Sequence, residues 1–302
     1  MLKKVLAALL GAAAVLALSP GLVAEAATTP KPFPVVLGTP MGKLTIRKQP
    51  RRIVSLSPTA TETLFAIGAG RQVVAVDELS NYPVRAPRTK LSGFTPNAEA
   101  IAGFRPDLVI VHGDAGLTAS LGKLGIPVLV QPAASKLPQA YAQVTQLGRA
   151  TGHRTGAAAT VRSMRTRISK ALKSVPRGRS LAVYHELTTD YYSVTSRTFI
   201  GQIYRLFGLR NIADSAGGTS DYPQLSAEYI VASNPDLILL ADSKCCGQSL
   251  ATVSSRAGWS TIRAVRGRNV VRLDDDVASR WGPRIASLVQ TVAAYVKRAR
   301  ST

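Results

Sequence analysis

Two stretches of this 302-residue chain repeat each other, and the repeat limits the fold more than any other feature. Asn97-Ala98-Glu99-Ala100-Ile101 leads to Pro106-Asp107-Leu108. Ser226-Ala227-Glu228-Tyr229-Ile230 leads to Pro235-Asp236-Leu237, with seven residues from Glu to Pro in both copies. Each copy reads as a short helix, a turn and an apolar strand. Asn97 and Ser226 suit the N-cap, because each side-chain oxygen can accept from first-turn N–H groups. Glu99 and Glu228 then fall in the first turn, where the helix dipole favours negative charge. Two copies of one α/β unit imply two similar lobes with a cleft between them.

Strand-like and helical segments alternate around both copies. Apolar runs at 52–56, 73–76, 108–111 and 126–130 interleave with helical patterns at 61–67, 97–104 and 117–124. The second half resumes with runs at 181–184, 237–240 and 269–273 and helical patterns at 198–207, 227–232 and 283–298. Such alternation predicts parallel sheets with helices on both faces. Residues 138–176 show no strand; Val161, Met164, Ile168, Ala171, Leu172 and Val175 keep helical spacing there. This stretch reads as a helical connector between an N-terminal lobe at 51–137 and a C-terminal lobe at 177–302. Residues 27–50, rich in Thr, Pro, Gly and Lys, read as an irregular arm.

The first 26 residues set the compartment. Lys3 and Lys4 precede an uncharged apolar stretch at 5–18, Ser19-Pro20-Gly21 breaks it, and Ala24-Glu25-Ala26 offers a small-residue cleavage site. This is the pattern of a secretory signal peptide, and it predicts an exported protein, periplasmic or at the cell surface. No cysteine stands near that site, so no lipid-attachment point is visible. The net charge of +21 raises nucleic acid as a partner. The bases are spread along the chain, however, without zinc-finger spacing or RNA-binding aromatics. They read as a solvated surface drawn to an anionic envelope, with no nucleic-acid partner.

Several candidate ligand contacts lie in loops that follow strands, where open α/β sheets bind their ligands. They are Ser57 after the first strand, Tyr82 and Phe94 further on, then His185, Tyr191 and Tyr192, Tyr222, and Arg280 with Trp281. In a chain with only 6% aromatics, this loop placement suits a wide apolar ligand with polar edges. Arg280 could pair with an acidic group of that ligand. Cys245 and Cys246, the chain's two cysteines, form either a vicinal disulfide or a pair of separate thiols. Both glutamates also admit a second role, as charged prongs for basic residues of a partner.

These motifs together resemble the class III periplasmic binding proteins for cobalamin, haem and iron-siderophores, closest to the vitamin B12-binding type. The resemblance covers residues 51–298. It rests on Ile53-Val54-Ser55-Leu56-Ser57-Pro58 with Thr61-Glu62, on Tyr82-Pro83, on both repeat copies, on Tyr222-Pro223 and on Pro283-Arg284. It implies an α/β fold of two Rossmann-like lobes joined by a single long α-helix. It implies a monomeric substrate-binding component of an ABC importer, without catalysis or resident cofactor. The ligand would be a bulky metal chelate, a corrinoid, ferric siderophore or haem. Glu99 and Glu228 would meet arginines of the permease, and Tyr82, Phe94, Tyr222 and the segment from Asp276 to Arg280 would surround the ligand. Three other readings stand beside it. His185, Tyr191 or Tyr192 could serve as an axial ligand to haem. His185, Glu186 and Asp190 could do acid–base chemistry. Zinc or manganese capture is disfavoured by three scattered histidines.

Overall fold

A computed structural model describes residues 32–176 and 178–301; the secretory segment read at 1–26 lies outside the described residues. The described chain opens in an antiparallel hairpin, β1 (Val35–Thr39) and β2 (Gly42–Ile46). The irregular arm expected over 27–50 is corrected here. Val35 and Leu37 point inward while Val36 and Gly38 face out, the two-residue period of a half-buried strand. Flanking Pro, Gly and Lys mask that short alternation in the sequence.

The first lobe runs β3 (Ile53–Leu56), α1 (Pro58–Ala66), β4 (Val73–Val76), α2 (Ala98–Gly103), β5 (Leu108–Val111), α3 (Leu117–Gly122) and β6 (Val128–Val130). Its strands are parallel and lie in the order β4-β3-β5-β6. Helices α4 (Leu137–Thr151) and α5 (Arg154–Lys173) follow. The second lobe runs β7 (Ala182–Glu186), α6 (Phe199–Leu206), β8 (Arg210–Asn211), α7 (Ala227–Ser233), β9 (Leu237–Leu240), α8 (Ser243–Cys246), α9 (Leu250–Ser254), α10 (Arg263–Arg266), β10 (Val270–Arg272), α11 (Asp275–Ala278) and α12 (Ile285–Ser301). Its parallel sheet has the order β8-β7-β9-β10. Counted within each lobe, both orders are 2-1-3-4. The central strands β3, β5, β7 and β9 are buried on both faces, as parallel strands covered by helices must be.

The repeat has a structural reason in each lobe. Asn97 caps α2 by accepting from Ala100 N–H, and Ser226 caps α7 by accepting from Tyr229 N–H. The Pro-Asp turn then pins the start of the neighbouring strand. Asp107 N–H donates to Arg52 O, and its carboxylate accepts from the N–H groups of Arg51 and Arg52 at 2.8 Å each. Asp236 does the same at the equivalent place. Its N–H donates to Ala182 O, and its carboxylate accepts from Ala182 N–H at 2.8 Å and from Arg179 at 3.0 Å.

The stretch at 138–176 is a helical hairpin. Gly152, at φ 80°, turns the chain between α4 and α5. Helix α4 stays with the first lobe, where Gln146 and Arg149 bond the carbonyls of Gly38 and Val36 in the hairpin. The 20-residue α5 is the long link. It buries Ala157, Met164, Ile168 and Ala171 on one face. Gly156 lets it cross α1 closely, since a Cβ there would lie 2.0 Å from Ile67 O.

Asp107→Ala and Asp236→Ala should each cost about 1–3 kcal/mol, because each leaves strand-start N–H groups without an acceptor. Asp236→Ala should cost more, as that carboxylate is buried and also holds Arg179. Urea unfolding should show earlier midpoints with unchanged slopes. Midpoints that do not move would remove the pinning role.

Candidate functional site

Three neighbouring strands of the first lobe each release a polar residue at their carboxyl ends. Ser57 follows β3, Asp77 follows β4 and His112 follows β5. Across from them stands the segment of α11 and its exit loop, with Asp276, Ser279, Arg280 and Trp281. Together with Thr59, Gly93 and Phe94 these side chains line a cleft of about 330 Å³. Ser57 lies at the cleft wall as the N-cap of α1, accepting from Ala60 N–H. Asp77 is 2% exposed and accepts from the Ser80 hydroxyl. Burial raises its carboxyl above the ordinary range, against the pull of the Ser80 bond and of the Arg280 and His112 charges. Gly93 packs over it so closely that a Cβ would lie 2.8 Å from its carboxylate oxygen. Phe94, next in the chain, is 71% exposed and meets His112 edge-on at 5.7 Å between ring centres. Trp281 is held by a bond from its Nε1 to Gln143 Oε1 at 2.7 Å.

Arg280 is the electrostatic centre of this wall. Its Nη1 donates to Glu62 Oε1 at 2.7 Å and Asn81 Oδ1 at 3.0 Å. Its Nη2 donates to Leu79 O at 2.9 Å and Asp276 Oδ1 at 2.8 Å. Four acceptors thus engage its four terminal N–H groups. The sequence-based expectation that Arg280 pairs with an acidic ligand group is corrected: the side chain lines the cleft, but its charge is held by protein. Arg284 adds bonds to both Glu62 oxygens at 2.9 and 2.5 Å. Glu62, on α1, is 3% exposed, so one buried carboxylate carries two guanidinium groups from the segment entering α12. Asp276 continues the network to Asn81 Nδ2 at 2.9 Å and Lys244 Nζ at 2.5 Å. Cys245 is joined to Cys246, and the N–H groups of Lys244 and Cys245 hold Asp275.

Of the residues singled out in the sequence, Ser57, Phe94, Asp276, Arg280 and Trp281 meet at this cleft. Tyr82 and Tyr222 are exposed outside its lining, and the Arg284 guanidinium lies 4.2 Å from the Tyr82 ring centre. His185 is a core residue, fully buried and bonded to the Tyr204 hydroxyl at 2.6 Å. Burial lowers its pKa to about 3, so the ring stays neutral. That corrects its reading as a haem ligand or a general acid. Tyr191 packs against Trp259 and Arg256 within the second lobe, and Tyr192 bridges to Gln224. Glu186 is fully buried and paired with Arg256 through two bonds of 2.6 Å, which closes the acid–base alternative built on it. Glu99 and Glu228 are exposed in the first turns of α2 and α7. Neither forms an ion pair among the described residues. Asp77, His112 and Glu62 were missed as site residues. The first two were findable, since each directly follows a strand as Ser57 does.

Among the described residues, no three His, Cys, Asp or Glu side chains gather to hold a metal ion. No described helix is long and apolar enough to cross a membrane.

Glu62→Ala should destabilise the protein by about 3–5 kcal/mol, the cost of leaving buried cations without their anion. Guanidinium unfolding measures it. A loss below about 1 kcal/mol would show that solvent replaces the carboxylate at no great cost.

With this geometry in place, the chain can be compared with known proteins. The family described as periplasmic binding protein matches residues 53–277. The ABC transporter substrate-binding lipoprotein YvrC of Bacillus subtilis is 30% identical over 277 residues, covering 87% of this chain and 86% of that protein. A cobalamin-binding protein of Halobacterium salinarum is 33% identical over 261 residues, covering 83% and 70%. Among solved structures, one titled a possible iron-binding, periplasmic solute-binding protein from Staphylococcus epidermidis superposes with a TM-score of 0.71. It is 25% identical and covers 82% of this chain and 99% of that one. The chain is a binding protein rather than an enzyme, and it belongs to the periplasmic binding protein family.

Proposed function

We propose that this chain is exported and serves as the substrate-binding component of an ABC importer. It captures a bulky metal chelate, a corrinoid or a ferric siderophore, in the cleft between its lobes and delivers it to a permease. One observation carries the reading: Phe94, 71% exposed, stands at a cleft walled on the other side by Trp281. A large ring left in water beside a concave site is ready-made contact area for an apolar ligand. The cleft volume of about 330 Å³ is at the low end for a ligand site. A macrocyclic chelate would therefore extend past its edge. The names of the relatives support the same ligand class.

Delivery rests on Glu99 and Glu228. The two acids occupy the same place in two equivalent helices, are exposed, and form no ion pair among the described residues. They suit arginines of a permease, where they would set register and encounter rate.

Haem is the second reading, favoured by His112, which brings an imidazole to the cleft wall. A haemin titration should then shift the Soret band from that of free haemin, and His112→Ala should remove the shift; an unchanged shift would place the axial ligand elsewhere.

Thermal-shift titrations with cobalamin, cobinamide, haem and ferric siderophores identify the ligand, since binding to the folded state raises the melting temperature. A flat response to all of them would overturn the chelate reading. The double change Phe94→Ala and Trp281→Ala should weaken the identified ligand at least about tenfold, roughly 1.4 kcal/mol. Unaltered affinity would move the site. Glu99→Lys with Glu228→Lys should abolish uptake in cells while leaving ligand affinity intact. Normal uptake by that double variant would contradict the docking role.

A further inference from the structure

The positive charge of this chain is placed unevenly. None of its 17 acids falls between Asp114 and Glu186, a run of 71 residues holding 11 of the 38 Lys and Arg. That run includes α4 and α5, which contain no Asp or Glu. Five of the six bases of α5 are also ordered around its axis; the sixth, Arg167, turns to α12 and donates to Ser287 and Gln290. At 100° per residue, Arg154, Arg162, Arg165, Lys170 and Lys173 fall within an arc of about 160°, opposite the buried Ala157, Met164, Ile168 and Ala171. All five are exposed.

Among the described residues, no base of α4 or α5 forms an ion pair. Arg149 and Arg154 donate to the carbonyls of Val36 and Pro32, and Arg165 lies 4.9 Å over the Tyr141 ring. Hydroxyls stand between the bases. Arg165, Thr166, Ser169, Lys170 and Lys173 border one open stretch of the helix surface. Arg149, Arg154, Arg162 and Arg165 border a shallow groove of about 610 Å³ between α4 and α5. The two share Arg165 and Thr166, so they run on from one another along the helix. A track of guanidinium, ammonium and hydroxyl donors fits a chain of phosphates.

We infer that the outer face of α5 binds a flexible phosphodiester polymer of the cell envelope. The choice of a polymer over a lipid bilayer rests on the docking reading above. The cleft lies at the start of α1, and α5 crosses α1 at its other end. There Gly156 abuts Ile67 O and the Thr160 hydroxyl bonds Ala66 O. Nine residues of helix, about 13 Å, separate the two ends. Glu99 stands in the first turn of α2, just beyond the cleft loop that carries Phe94. A bilayer held by the α5 face would turn Glu99 away from the permease in that same bilayer. A polymer strand lying across α5 leaves it free.

The test uses the exported full chain and labelled poly(glycerol phosphate). Fluorescence anisotropy measures affinity at 50 and 150 mM salt, and phosphatidylglycerol vesicles at matched phosphate concentration form a second arm. The variant R162Q/R165Q/K170Q/K173Q should bind the polymer at least tenfold more weakly. The variant K43Q/R47Q/K48Q/K123Q, which loses the same charge elsewhere, should stay within threefold of the unaltered chain. Binding of the unaltered chain should fall steeply with salt, as counterion release requires. The polymer should raise the melting temperature of the unaltered chain and not that of the α5 variant, which separates lost binding from lost folding. Equal losses in the two variants would reduce the effect to net charge and overturn the inference. Binding to neither polymer nor vesicles would overturn it while leaving the importer reading intact. Tighter binding to the vesicles than to the polymer would overturn it together with the assumed docking orientation.

Discussion

One buried carboxylate holds this molecule's working parts in place. Glu62 sits on the first helix of the first lobe and accepts from Arg280 and Arg284, which lie at the entrance of the last helix. Charges taken out of water are costly unless their partners are close and well aligned. Here the alignment is supplied from both sides. Asn81 and Leu79 O in the first lobe complete the shell of Arg280, and Asp276 in the second balances its charge. The two walls of the cleft therefore share one set of bonds, and their separation is fixed where those bonds are made.

The duplicated sheet explains why the cleft falls where it does. Each lobe orders its strands 2-1-3-4, so the first strand has a neighbour on either side. The loops leaving the carboxyl ends of these strands diverge and leave a crevice between them. In the first lobe that crevice receives Ser57, Asp77 and His112. In the second lobe the corresponding space is filled. Glu186 at the end of β7 pairs with Arg256, and Tyr191, Tyr184 and Trp259 pack around it. The same architecture therefore yields an open site in one copy and a closed polar core in the other.

Much of the fold was legible in the sequence because its signals are local. The repeat of cap, glutamate, Pro-Asp turn and apolar strand reflects bonds made within each lobe, above all from Asp107 and Asp236 to the adjoining strand. The hairpin at Val35–Ile46 was not legible, because five residues of alternation are a weak signal among prolines and glycines. The site was legible in part. Ser57, Phe94, Asp276, Arg280 and Trp281 follow strands or short helices and do reach the cleft. The state of Arg280 was hidden, because Glu62 lies 218 positions away. His185 misled for a similar reason: only the packing of Tyr204 against it shows a core residue rather than a ligand. The basic face of α5 is readable as an acid-free stretch, but its one-sidedness needs the helix axis.

The engagement of Arg280 also shapes what the cleft can select. Its terminal donors all point at protein, while the carboxylates of Asp77 and Asp276 and the hydroxyls of Ser57, Thr59 and Ser279 stand at the wall. Asp276 is in turn held by Arg280, Asn81 and Lys244, and burial favours the neutral form of Asp77. The charges of this wall thus cancel within the protein, and a solute lodged against it would be gripped through its shape and apolar faces more than through its own charge.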